Sequence, residues 1–341
     1  MDLDTLHKGQ QTIVFDRHPV ILAHSAIAGK KESEGPLAEF FDHTETDTRF
    51  GQKTWEKAET RLQELALDTA RSKAQLQYSD LDVLFAGDLL NQCISSAFAI
   101  RDTRIPFLGL YGACSTMAES LTLAAAAVNA GYAARAAALT SSHFATAERQ
   151  YRFPLGYGGQ RTPTAQWTVT GSGCCIVASS GRGPYLNCAT IGRIEDYGIK
   201  DANNMGAAMA PAAYSTLRAH FADTGLRPQD YDLIVTGDLG TLGSTIVTDL
   251  FRRDGMEFGA NYRDCGVLIY DLKRQDVHAG GSGCGCGASV LCGYLLRQLR
   301  EKKINSLLFC ATGALMSPVS TWQGESIPAI CHTISISNER R

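Results

Sequence analysis

A cysteine stands where the chain turns sharply, in Leu110-Tyr111-Gly112-Ala113-Cys114-Ser115-Thr116. The apolar run from Ile105 to Leu110 predicts a short buried strand before it. The small residues from Ser115 to about Ala130 predict a helix behind it, buried on all sides. A thiol at a helix start lies beside unpaired backbone N–H groups and the positive end of the helix dipole. That setting favours the thiolate, the form that attacks a carbonyl carbon. The plainer alternative is a structural cysteine at a tight helix start. Two imidazoles stand near candidate turns, His143 after an apolar run and His278 just before a Gly-rich stretch. Either is a conceivable base, although a lone strand-end His is more often a hydrogen-bonded structural residue.

The same residues suggest a second chemistry, the holding of carboxylates. Helix-start N–H groups at Cys114-Ser115-Thr116 suit one carboxylate. The turn Gly280-Gly281-Ser282-Gly283 has few side chains, so its N–H groups can approach a ligand closely. Arg149 and Arg152 offer a bidentate fork, with a solvated or salt-bridged loop as the alternative. Asp238 opposes an anion or a thiolate, and its plainer role is to cap the helical turn after it. The stretch from Asp201 to Met209 is a pocket wall or a core-facing loop.

These groups need a scaffold. Gln11 to Phe15 predicts a strand, and Trp55 to Lys73 has helical period with Ala58, Leu62, Leu65, Ala66 and Ala70 on one face. Asp82 to Leu89 and Ala136 to Thr140 predict buried parallel strands. Thr168 to Val177 predicts a hairpin, and Gly181-Arg182-Gly183-Pro184 a turn or linker. The second half then repeats the first. Tyr231-Asp232-Leu233-Ile234-Val235-Thr236-Gly237-Asp238-Leu239 echoes Leu81 to Leu89 at a constant offset of 150 positions, and Leu76 and Asp80 return at Leu226 and Asp230. Gly283-Cys284-Gly285-Cys286 precedes an apolar helix as Gly112-Ala113-Cys114 does. A shared register with shared context indicates duplication, here into halves 1–183 and 184–341.

A chain of 341 residues with 44% hydrophobic and 20% charged residues is that of a folded globular protein. Its net charge of −3 gives no footing for nucleic acid, and no basic cluster marks a membrane patch. Met1-Asp2-Leu3-Asp4 does not open a signal peptide. The apolar stretch Leu121 to Leu139, broken by Asn129 and Arg135, reads as core and not as a membrane span, so any work at a membrane is expected to be peripheral. Eleven cysteines without a C-x-x-C pair suggest buried thiols in a reducing compartment rather than zinc or disulfides.

Two α/β halves with a Cys elbow in one and a Gly-rich turn in the other resemble the thiolase superfamily. Within it, the chain resembles end to end the stage V sporulation protein AD family of endospore-forming bacteria. The segments that carry this are Phe85 to Gln92, Gly112 to Thr116, Ser141 to Gln150, Met209 to Ala213 and Ala279 to Cys284. The resemblance implies two halves packed as five αβαβα layers. It implies a soluble subunit that binds dipicolinic acid (pyridine-2,6-dicarboxylate) and works at the spore inner membrane with integral membrane subunits, as a possible homodimer.

Condensing enzymes of this superfamily pair the Cys with a His and an Asn or second His. The positions that should carry them read Gly237-Asp238-Leu239-Gly240 and Gly283-Cys284-Gly285, without imidazole or amide, while Cys310 matches the second Cys of thiolases. The expectation is therefore no catalysis, with Cys114 a vestigial nucleophile. The expected ligand-binding set is Ala113, Cys114, His143, Arg149, Asp238, Gly281, Ser282, Cys284 and Cys310. No cofactor and no protein-bound metal are expected; calcium enters only within the dipicolinate chelate, since no EF-hand spacing is present. The competing readings are an acyltransferase working through a Cys114 thioester and a purely structural docking subunit.

Overall fold

The computed structural model describes residues 6–151 and 160–340. Ten strands carry the main path of the sheet. In chain order they are β1 (Val20–Ala28), β2 (Val83–Gly87), β3 (Phe107–Gly109), β4 (Arg135–Ser142), β5 (Gly171–Ala178), β6 (Tyr185–Thr190), β7 (Leu233–Thr236), β8 (Tyr262–Asp264), β9 (Ser306–Ala314) and β10 (Ala329–Ser337). Their spatial order is β8-β7-β9-β10-β6-β1-β5-β4-β2-β3. Read outward from the centre, the halves run β1-β5-β4-β2-β3 and β6-β10-β9-β7-β8, so each strand of one half has its counterpart five places on in the other. On the main path the two meet at Tyr185 with Val20, and the short strand Thr12–Val14 of the first half also pairs with β6. In each half three neighbouring strands are parallel, and the fourth runs antiparallel to both of its neighbours, the third and the fifth.

The repeated Leu-Asp signals have the same local cause in both halves. Asp82 Oδ2 accepts from the N–H groups of Ala134 (2.7 Å) and Arg135 (2.9 Å), tying the start of β2 to the start of β4. Asp232 Oδ2 accepts from Asn305 (2.6 Å) and Ser306 (3.1 Å), tying β7 to β9 in the same way. One turn earlier, Asp80 and Asp230 close equivalent 3-10 turns on Gln77 and Arg227.

The helices that position the site are α1 (Trp55–Lys73), α2 (Ile94–Ile100), α3 (Thr116–Ala130), α4 (Phe144–Tyr151), α5 (Met205–Thr224), α6 (Gly240–Arg253), α7 (Cys284–Ser289) and α8 (Leu296–Arg300), the last two joined by a π turn over Val290–Leu295. Thr54 caps α1, whose face of Ala58, Leu62, Ala66 and Ala70 is buried against β1, β4 and β5. In the middle, α3 touches strands of both halves, and α7 packs on β4 and β5. On the far side α5 lies on β9 and β10. The result is five αβαβα layers. Small residues permit the central packing: a Cβ on Gly285 would lie 2.4 Å from the carbonyl of Gly171, and one on Gly313 would lie 2.4 Å from that of Gly112.

Two expected elements differ. The run Ile105 to Leu110 does not form a buried strand: β3 is the edge of its half, and Leu108 is 55% exposed. Thr168 to Val177 is not a hairpin. Trp167–Thr168 pairs in parallel with Gly281–Ser282, while β5 lies between β1 and β4. That short pairing draws the Gly-rich turn of the second half onto the first.

Candidate functional site

The elbow is tighter than a helix start. Ala113–Ser115 is a 3-10 turn, and Ala113 has φ +52°, a left-handed conformation uncommon for a residue with a Cβ. The N–H groups of Ser115 and Thr116 are spent inside the turn, on the carbonyls of Gly112 and Ala113. The turn places Cys114 at a cavity of about 300 Å³ while leaving it only 7% exposed. Leu89, Ala113, Ala147, Met205, Ala314, Leu315 and Met316 give the cavity an apolar wall. Tyr111, Tyr151, Thr168 and Ser282 bring hydroxyls, and Gly283 completes the inner end. Among these lining residues there is no Lys or Arg.

Asp238 organises that inner end. It follows β7, is 1% exposed, and collects donors from three segments. Ser282 Oγ (3.0 Å) and the Gly283 N–H (2.9 Å) donate to Oδ2, and Thr312 Oγ1 (2.9 Å) donates to Oδ1. The Cys114 thiol is a close neighbour of this carboxylate, and each shifts the other's titration. Burial pushes the Asp238 carboxyl up to about 6, against the lowering effect of its donors. Burial, then the Asp238 charge, pushes the Cys114 thiol well above its usual range. The expected thiolate is thus replaced by a protonated thiol. The backbone donors expected for a carboxylate are also partly consumed, since the Gly283 N–H serves Asp238 and the Gly285 N–H serves Ser142 Oγ (3.0 Å).

Of the expected ligand-binding residues, Ala113, Cys114 and Ser282 line the cavity and Asp238 lies directly behind it. Cys284 is fully buried beneath, its Sγ donating to the Ser141 carbonyl (2.9 Å). Gly281 faces the core, where a Cβ would meet Ile269 and Val169. Cys310 is also fully buried, among Leu308, Met209 and Cys331. It lies two residues below Thr312 on one strand face, so Thr312 reaches Asp238 and Cys310 does not. His143 lies elsewhere. Its Nδ1 accepts from the Ala145 N–H (3.1 Å), so its Nε2–H donates to the Thr48 carbonyl (2.8 Å), and burial lowers its pKa. Arg149 pairs with Glu56 on the surface. Arg152 falls outside the described residues. His278 pairs with Asp276 (3.1 Å).

The capping role considered for Asp238 belongs to Asp264, which accepts from the N–H groups of Leu239 (2.8 Å) and Gly240 (3.0 Å). Tyr111 and Tyr151 were not expected at the site. Their hydroxyls lie 2.6 Å apart, with Tyr151 donating to the Leu89 carbonyl and Tyr111 donating to Tyr151. Met205 bears out a pocket wall in the stretch from Asp201 to Met209. Among the described residues, no group of His, Cys, Asp and Glu is placed to hold a metal ion, and no helix is long and apolar enough to cross a membrane. All eleven cysteines are free and buried.

Solved structures of similar shape include 3-oxoacyl-(acyl-carrier-protein) synthase III from Aquifex aeolicus, with TM-score 0.58 and 11% identity over 94% of this chain and 99% of that one. Human mitochondrial 3-ketoacyl-CoA thiolase, solved with CoA, gives TM-score 0.58 and 13% identity over 95% and 99%. At such identity these establish the fold alone, which is thiolase-like. The sequence is far closer to a sporulation protein: stage V sporulation protein AD of Bacillus subtilis (strain 168) is 47% identical over 327 residues, 96% of each chain. The model of the stage V sporulation protein AD family matches residues 9–337. The chain therefore belongs to the stage V sporulation protein AD family, on a thiolase-like fold.

Proposed function

We propose that this sporulation protein is a non-catalytic binder of dipicolinic acid, taking the acid or its calcium chelate for uptake into the developing spore and release in germination. The observation that carries the reading is the partner of Cys114. Thioester condensation needs a base to release the thiolate and donors for the oxyanion. What meets this thiol is a buried carboxylate and no imidazole, and burial first, then that charge, disfavours the thiolate. The cavity itself remains, with room for a small flat ring between Ala113, Ala147 and Ala314. The hydroxyls of Tyr111, Tyr151, Thr168 and Ser282 make the wall polar but neutral, with their hydrogens directed to protein acceptors and their lone pairs left toward the cavity.

Charge decides the preferred form. A dianion meets no cation among the lining residues and has Asp238 behind it, whereas calcium cancels the ligand's charge within the chelate. The chelate therefore binds no more weakly than the free dianion. Integral membrane subunits hold the protein at the spore inner membrane in this reading, as a homodimer. Isothermal titration of the purified protein with dipicolinate, with and without calcium, is the test. Saturable binding of one ligand at this cavity supports the proposal, and no heat with either form refutes it.

A further inference from the structure

A second cavity, of about 480 Å³, opens between the C-terminal end of α1, β1 and the π turn that leads into α8. Its character is opposite to that of the first. Lys73, Arg297 and Arg300 line it, together with Asp42, His24 and Phe40. Lys73 Nζ is held by Asp42 Oδ1 (2.6 Å) and the His24 carbonyl (2.9 Å), and Arg297 Nε pairs with Glu301 (2.8 Å). Arg300 has no carboxylate partner among the described residues. Its Nη2 donates to the carbonyls of Ile21 (3.3 Å) and Leu22 (2.8 Å), which fixes the guanidinium and leaves its other N–H groups available.

His24 adds a group of the opposite kind. Its Nδ1 lies 2.5 Å from the Cys292 carbonyl and must donate to it, so Nε2 carries the lone pair. Nε2 has no partner among the described residues, although the side chain is 92% buried by its 8% exposure. The ring stays neutral: burial first, then the charges of Arg300 and Lys73, lower its pKa to about 4, against the raising effects of the Cys292 carbonyl and, least, of Asp42. Cys292 belongs to the π turn Val290–Leu295, a helix irregularity that recurs at functional sites.

We propose that this groove binds a phosphate group, with the Arg300 and Lys73 cations on its oxygens and His24 Nε2 accepting from a protonated phosphate oxygen. A carboxylate would satisfy the cations, but at neutral pH it has no O–H to give to His24. The proposal does not depend on dipicolinate binding in the elbow cavity, which has a different lining. The phosphate belongs either to a soluble ion or to a lipid headgroup.

The test uses the full chain. Inorganic phosphate is titrated against it by calorimetry at constant ionic strength, and flotation is measured with phosphatidylcholine vesicles that contain or lack phosphatidic acid. Wild type is expected to bind in at least one arm; phosphate heat identifies the free ion, and flotation confined to phosphatidic acid identifies a headgroup. Arg300→Gln and Lys73→Met should each weaken that binding about tenfold or more, the loss expected for a hydrogen bond to a charged group. Thermal melts without phosphate check that each variant is folded, and Lys73→Met serves if Arg300→Gln is not. Ala113→Leu should leave this binding unchanged. Absence of binding in both arms, or binding unaltered in folded Lys73→Met, overturns the proposal.

Discussion

The Cys114 thiol and the Asp238 carboxylate are neighbours at the inner end of the elbow cavity, and the carboxylate's charge disfavours the thiolate. The pair brings the duplicated halves together, because Cys114 precedes α3 and Asp238 follows β7. Its counterpart in the first half, Asp88, does different work. It accepts from Leu90 N–H (2.8 Å), Ser96 N–H (2.8 Å) and Ser96 Oγ (2.7 Å) and so fixes the start of α2. One repeated Gly-Asp-Leu signal thus became a structural cap on one side and the floor of a cavity on the other.

Asp238→Asn should make Cys114 more reactive. Removing the carboxylate removes a charge that disfavours thiolate, while burial, the larger cause, remains. Each unit by which the thiol pKa falls gives roughly tenfold more thiolate at a fixed lower pH. Iodoacetamide labelling read by peptide mass spectrometry between pH 7 and 9 should show faster modification of Cys114 in the variant. Equal rates would mean that Asp238 does not control the thiol.

Glu32 predicts a pH signature. It is fully buried, its Oε1 accepts from Thr170 N–H (3.1 Å) and the Tyr270 hydroxyl, and Oε2 has no partner. Burial raises its pKa from 4.5 to about 7 despite those donors. The native state therefore keeps a proton that the unfolded chain releases, so the contribution to stability is full below pH 4.5 and is lost as pH rises through about 7. Glu32→Gln does not titrate. Relative to wild type it should gain stability between pH 5 and 8, by about 3 kcal/mol at most. Parallel urea-unfolding curves at the two pH values would contradict this.

The duplication makes a prediction of its own. Asp82→Ala and Asp232→Ala each remove one carboxylate that ties neighbouring parallel strands through two backbone N–H groups. Both should lower the denaturation midpoint, and by roughly equal amounts. A loss confined to one of them would show that the halves do not share this clamp energetically.

Much of the scaffold was legible because period and repetition are local signals. The helix over Trp55 to Lys73 is marked by its apolar face, and the 150-residue offset by itself pairs β2 with β7. The site was legible where a turn is local, at Ala113, Cys114 and Ser282. It was not legible where segments meet. Asp238 draws on β7, β9 and the Ser282 turn at once, and no spacing encodes that encounter. Choosing Thr312 over Cys310 requires knowing where β9 ends against Asp238. Arg149 and His143 lie in a recognisable segment, yet Glu56 and the Thr48 carbonyl, both distant in sequence, hold them elsewhere.

The central claim is that dipicolinate binds without covalent chemistry in the cavity bounded by Ala113, Cys114 and Ser282. Ala113 already holds φ +52° with a Cβ, so Ala113→Leu fills the cavity while adding mainly bulk. Overpacking of this kind costs about 1–3 kcal/mol in a close-packed site. Calorimetric titration of dipicolinate in phosphate buffer, which keeps the second groove occupied, should show binding lost in folded Ala113→Leu and nearly unchanged in Cys114→Ala. Binding retained in Ala113→Leu and lost in Cys114→Ala would contradict both the location and the mechanism.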